Sequence, residues 1–187
     1  MNEIYISSDH HFNHQNILKY SAEQRKCESL DEMHEEMIKR HNSVVGVNDI
    51  CYFLGDFCFS RKANVAKEYF ERMNGKIRFI VGNHDPWIRD FDFSNFPKIE
   101  WAKQYYDFVP FKDMPPVVLF HFPIESWHRR SYSAFHLHGH CHGTLKSPGL
   151  RRKDVGIDCN HMYPFNLREV LESLSEIDAS DNRYSSI

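Results

Sequence analysis

Ile77-Arg78-Phe79-Ile80-Val81-Gly82-Asn83-His84-Asp85 is the stretch on which the fold class turns. Its first five residues are β-branched or aromatic apart from Arg78, the composition of a short buried strand, and Gly82 closes the run. An amide, an imidazole and a carboxylate then follow on consecutive residues. A packed core does not require such a cluster. In open α/β sheets, ligands bind just beyond the carboxyl ends of strands, which is where this cluster falls.

Working outward, the same arrangement of strand then polar residues recurs. Residues 3–7 (Glu-Ile-Tyr-Ile-Ser) predict a first strand with Ile4 and Ile6 on one face, ending in Ser8-Asp9-His10-His11-Phe12-Asn13-His14. A short helix through Asn16-Ile17-Leu18 and a polar connection lead to Ser29. With Glu32 three residues on, Ser29 forms a capping-box pattern for a helix of about 30–45, whose apolar stripe is Leu30, Met33, Met37, Ile38 and Val45. Ile50-Cys51-Tyr52-Phe53-Leu54 is strand-like and ends in Gly55-Asp56. A second amphipathic helix over roughly 63–73 stops before Gly75, so the order up to the opening stretch is β-α-β-α-β.

Beyond Pro86 the character changes. Residues 91–97 form an aromatic loop and 99–112 carry strand-like content. Val117-Val118-Leu119-Phe120 ends in His121, and residues 134–138 end in Gly139-His140-Cys141-His142-Gly143. Asp154–Asp158 predicts a last strand and Leu167–Leu174 a last helix. Residues 1–177 are expected to form one domain, and the polar 178–187 a frayed tail. The fold class is thus α/β or α+β, with a strand-rich second half.

Composition narrows the function. At 187 residues with 41% hydrophobic content the chain suits one substantial core, and a formal net charge of −3 gives no overall basic field for nucleic acid. Thirteen histidines stand against five cysteines with no C-x-x-C pair, which argues against a disulfide framework or a thiolate zinc site. No basic, apolar leader opens the sequence and no run reaches the ~18 apolar residues of a membrane span. The expectation is a reduced, cytoplasmic protein that does not enter membranes.

Five apolar runs therefore end in Asp9/His11, Asp56, Asn83/His84/Asp85, His121 and His140/His142. Carboxylates and imidazoles at that density repel one another or bind metal. Oxygen and imidazole donors suit Mn²⁺, Fe, Zn²⁺ or Ni²⁺ better than Mg²⁺. With so many donors, two divalent transition metal ions can share the site, and a carboxylate such as Asp56 can bridge them. Two ions about 3.5–4 Å apart acidify a bridging water and neutralise phosphoryl oxygens, which suits phosphoester hydrolysis.

These five blocks, D-x-H, G-D, G-N-H-D, a lone H and G-H-x-H in that order, resemble the calcineurin-like metallophosphoesterase superfamily over residues 9 to 142. Asp9-x-His11-Phe12-x-His14 and the Val155–Asp158 run followed by Pro164 and a helix are similar to its small single-domain members. The resemblance implies a two-sheet β-sandwich flanked by helices in four αββα layers. It also implies Asp9, His11, Asp56 and His142 on a first metal, Asp56, Asn83, His121 and His140 on a second, and attack by metal-bridging hydroxide. His84 would then be the cation or acid meeting the phosphate or leaving group, with Asp85 orienting it.

Other residues admit two readings. His14 either faces the phosphate or caps the following helix. Trp127-His128-Arg129-Arg130 either lines the cleft, with Arg129 on phosphate, or is an exposed basic turn. Lys146–Lys153 either tracks a polynucleotide or is a solvated hairpin tip. His136, His138 and Cys141 are expected to be packed rather than ligating. The leading expectation is a phosphoesterase acting on a small phosphodiester or nucleotide-type substrate; the alternatives are a nuclease of the same superfamily and a non-catalytic metal-binding scaffold.

Overall fold

Alternation along the apolar runs decides which face each strand turns to which layer. In the computed structural model, which describes residues 2–147 and 150–177, the early runs become β1 (Ile4–Ser7), β2 (Ile50–Phe53), β3 (Lys76–Ile80) and β4 (Ile99–Lys103). They lie parallel in the order β4-β3-β2-β1, and the two-residue β9 (Phe165–Asn166) pairs antiparallel with β1. Parallel neighbours need crossover connections. These are supplied by α1 (Ile17–Tyr20), α2 (Ala22–Arg25) and α3 (Leu30–Val44) between β1 and β2, and by α4 (Ala63–Arg72) between β2 and β3. The expected capping box holds in part: Ser29 Oγ accepts from the Glu32 N–H, while the Glu32 carboxylate reaches back to the N–H of Glu28.

A second sheet, in the order β5-β6-β7-β8, is built from β5 (Tyr105–Phe108), β6 (Val117–Phe120), β7 (Phe135–His138) and β8 (Arg152–Asp154). Only β5 is antiparallel to its neighbour. The strand-like 99–112 region is thus two strands in two sheets, parted at Gln104. Ile6, Tyr52, Leu54 and Ile80 from the first sheet meet Val117, Leu119, Phe135 and Leu137 from the second, and α5 (Leu167–Ser175) adds Leu167, Val170, Leu171 and Leu174. On the other face of the first sheet, Cys51, Phe53, Ile77 and Phe79 pack on Met33, Met37 and Phe70 of α3 and α4. Burial on both faces explains why β2 reads as an unbroken apolar run. Each buried Phe stabilises by about 1.5–3 kcal/mol, and Phe57 stacks on Phe70 at 3.8 Å between centroids.

The molecule is an α/β sandwich of two mixed sheets with helices. Over the outer face of the second sheet, Val118 packs under Trp127, Ala134 and Ile124, so a loop with a 3-10 turn covers it there. The expected strand 154–158 is corrected: β8 ends at Asp154, and Ile157–Cys159 is a 3-10 turn. Asp154 causes the bend, because its Oδ1 accepts the Gly156 N–H at 2.8 Å. Val155 and Ile157 are nonetheless buried, so their apolar spacing reported burial without a ladder. Residues 178–187, expected as a frayed tail, lie outside the described residues.

Candidate metal centre

The loops that leave β1, β2, β3, β6 and β7 meet at one edge of the sandwich, where their backbones fix one another. The Asp9 N–H donates to the Gly55 carbonyl at 3.0 Å and the His11 N–H to the Asp56 carbonyl at 2.9 Å. The His140 N–H donates to Asp9 Oδ2 at 2.9 Å. Asp9, His11, Asp56, His140 and His142 all have left-handed φ, between 48° and 70°. Such a conformation costs about 1–3 kcal/mol at a non-glycine residue and persists only where its surroundings impose it. Gly139 permits the approach: a Cβ there would lie 2.0 Å from Ser8 Oγ and 2.3 Å from Asp9 Oδ2.

Two donor groups result. Asp9, His11 and His142 converge in one, and Asp56, His121 and His140 in the other, each with ligand atoms within 4.8 Å of one another. Asp56 Oδ2 stands between them, 3.8 Å from His11 Nε2 and 3.5 Å from His121 Nε2. Asn83 Oδ1 lies 3.0 Å from His121 Nε2, on the same side. These seven residues are those of the expected ligand set.

Three of the imidazoles are held in one way. His121 Nδ1 bonds the Leu54 carbonyl at 2.7 Å, His142 Nδ1 bonds Asp158 Oδ2 at 2.6 Å, and His11 Nδ1 bonds His14 Nδ1 at 3.1 Å. With Nδ1 occupied, Nε2 turns inward, the arrangement usual for metal-ligating histidine. His11 Nε2 is buried and has no hydrogen-bond partner, so the residues present fit a cation.

The electrostatics agree. Burial raises Asp9 to about 7, partly offset by His142 and His121. Burial also holds His11 down at about 2 against the pull of Asp56. For Asp56, burial is outweighed by the hydrogen bond and charge of His121, which keep it at about 2; the same pair lifts His121, against its own burial, to about 9. A buried carboxylate beside imidazoles that cannot all be charged is a site where an added cation is stabilised.

His84 sits at the rim. Its backbone N–H donates to Asp56 Oδ1 at 2.8 Å and its ring lies 5.9 Å from that of His11. It lines a cleft of about 260 Å³ with Phe59, Ser60, Arg61, Asn83 and Pro86. Asp85 departs from expectation. Its Oδ2 accepts the N–H groups of Asp56 at 2.8 Å and Gly82 at 2.9 Å, and its Oδ1 accepts those of Phe57 at 2.9 Å and the Trp87 indole at 3.1 Å. These bonds, rather than one to the His84 ring, make Asp85 the tie between two ligand loops.

A family model described as calcineurin-like phosphoesterase matches residues 3–172. The chain belongs to the calcineurin-like phosphoesterase family. It is 48% identical over 92 residues to an uncharacterized protein of Methanocaldococcus jannaschii, covering 49% of this chain and 51% of that one. The chain thus spans about half the length of the curated relative it matches. Among solved structures, a protein of unknown function from Aquifex aeolicus superposes with a TM-score of 0.69 at 19% identity, covering 92% of this chain and 100% of that one, a likeness of fold.

The residues with two readings take the following places in this member of the calcineurin-like phosphoesterase family. The His14 ring stacks on Phe59 at 4.1 Å and bonds the His11 ring, so it braces a candidate ligand. Trp127 is buried, its Nε1 donating to the Ala134 carbonyl at 2.9 Å, so its ring is not offered to a substrate. Arg129 is exposed in the turn beside it. In the basic stretch that the sequence reading singled out, Arg151 bonds the Ile177 and Ser133 carbonyls and Arg152, buried in β8, bonds that of Ile124, so both arginines clamp the fold. No helix among the described residues is long and apolar enough to cross a membrane.

Two residues escaped the sequence reading. Arg25 is fully buried, with Nε 2.7 Å from Asp158 Oδ1 and its other nitrogens on the carbonyls of Asp9 and His10. Asp158 joins that guanidinium to His142, and both effects hold its carboxyl well below the usual range despite burial. Asp158 closes an apolar run, the signal shared by the candidate ligands. Arg25, in a polar connection, carried none.

Proposed function

We propose that this chain is a metal-dependent phosphoesterase that holds two divalent transition metal ions and hydrolyses a small phosphodiester or nucleotide-type ester. The observation that carries this reading is Asp56, whose Oδ2 stands 3.8 Å and 3.5 Å from the inward nitrogens of His11 and His121. Asp9, His11, Asp56 and His142 would hold one ion, and Asp56, Asn83, His121 and His140 the other. Mn²⁺, Fe, Zn²⁺ or Ni²⁺ would supply Lewis acidity and an acidified water.

The chain's own residues do the rest. His84, held by its N–H on Asp56, meets a phosphoryl oxygen or protonates the leaving group from the rim. Phe59, 42% exposed, and Arg61 offer an apolar surface and a guanidinium to the rest of the ester in the adjoining cleft. A small substrate is favoured over a polynucleotide because Arg151 and Arg152 are occupied with backbone carbonyls.

Metal analysis combined with a panel of mono-, di- and cyclic phosphoesters tests the proposal. Asp56→Ala and His140→Ala should lose metal and hydrolysis together. His84→Ala should keep its metal and lose about 10²–10⁴ in rate; release of metal by that variant would refute the division of roles. Wild-type protein that hydrolyses no aryl phosphate mono- or diester with Mn²⁺ or Fe would leave the non-catalytic scaffold in its place.

A further inference from the structure

A third cluster lies behind the two donor groups. The His138 ring, the Cys141 thiol and the Asp154 carboxylate each offer one donor atom, and these atoms lie within 4.8 Å of one another. His138 and Asp154 end β7 and β8 and are direct partners in the parallel ladder. Cys141 comes from the turn after β7, between His140 and His142.

His138 is fully buried, and its Nδ1 bonds the Gly139 carbonyl at 2.8 Å. That bond places the lone pair on Nε2, which is buried without any hydrogen-bond partner. An unsatisfied buried nitrogen costs about 1–3 kcal/mol. The ring is thus held like that of His121, Nδ1 on a carbonyl, but its Nε2, like that of His11, has no partner and is free for a ligand. Asp154 is oriented by the N–H of Gly156 at 2.8 Å on Oδ1 and that of Gly143 at 2.9 Å on Oδ2, and each oxygen keeps a second lone pair.

We infer that His138, Cys141 and Asp154 form a third metal site, sharing no residue with the other two donor groups and suited to Zn²⁺. One thiolate, one imidazole and one carboxylate match the donors zinc takes in tetrahedral sites, with a fourth position left open. The thiolate distinguishes it from the oxygen and imidazole donors of the other two groups. An ion here joins the ends of β7 and β8 to the turn that carries His140 and His142, and so steadies that turn. The inference is independent of which ester, if any, the chain hydrolyses.

Co²⁺ titration of the metal-stripped full chain tests it, because a thiolate ligand gives a near-ultraviolet charge-transfer band that oxygen and imidazole donors do not. The wild type should show that band and bind one equivalent more than the two donor groups take. Cys141→Ser should abolish the band and lose that equivalent, whereas Cys27→Ser should retain both. His138→Gln should repeat the loss, and circular dichroism of each variant separates loss of the site from loss of the fold. A wild type with no such band, or a band that survives in folded Cys141→Ser, would overturn the site.

Discussion

Asp85 serves no partner that a sequence would suggest. Beside His84 in the chain, it reads as the group that orients that ring, yet its bonds run to three backbone N–H groups and an indole. Backbone donors leave no mark in a sequence, which is why this role was illegible while the convergence of the candidate ligands, chemically distinctive side chains at strand ends, was legible. Asp85→Ala strands the N–H groups of Gly82, Asp56 and Phe57 at about 1–3 kcal/mol for each that stays dry. We expect a fall of several kcal/mol in urea unfolding, with weaker metal binding because Asp56 loses its hold. His41 makes a pH-dependent contribution of its own. It is buried on α3, and burial lowers it to about 4 from an ordinary 6.5, against a bond to the Asn74 carbonyl. The unfolded chain therefore binds the proton first, and stability falls as pH drops from about 6.5 to about 4, by on the order of 3 kcal/mol from this residue. In His41→Gln, urea midpoints over that range should decline less steeply; an unchanged slope would refute the assignment.

At the scale of elements, the runs predicted strands well wherever both faces are buried, as in β2 and β3. Prediction failed where apolar residues are buried outside a ladder, as at Val155 and Ile157; the strand-like content of 99–112 is present as β4 and β5, with Gln104 between strands of different sheets. Spacing reports burial; which sheet a strand joins is decided by contacts distant in sequence. The turn after β7 shows how little room such an element has. Gly139→Ala would drive a methyl group into Ser8 and Asp9, and the backbone must shift to admit it. Overpacking of this kind costs about 1–3 kcal/mol. The variant should melt lower and bind less metal, since the same shift displaces His140 from Asp9; wild-type metal content would show the turn to be more compliant than its contacts imply.

Across the whole molecule, the Arg25–Asp158 pair ties the segment before α3 to the 3-10 turn after β8, and through His142 to the candidate metal centre. Both side chains are buried, so removing one charge leaves the other uncompensated. Asp158→Asn should destabilise by about 3–5 kcal/mol and weaken metal binding about 10–100-fold through His142, as read by calorimetry; either effect without the other would separate the two functions of the pair. The left-handed backbone at Asp9, His11, Asp56, His140 and His142 has a further consequence. Asparagine and glycine are the residues most at ease in that conformation. A descendant that exchanged its ligands for those two would forfeit chemistry while keeping every bend of the rim. The backbone course of this rim and the chemistry of the side chains along it are thus separable under substitution.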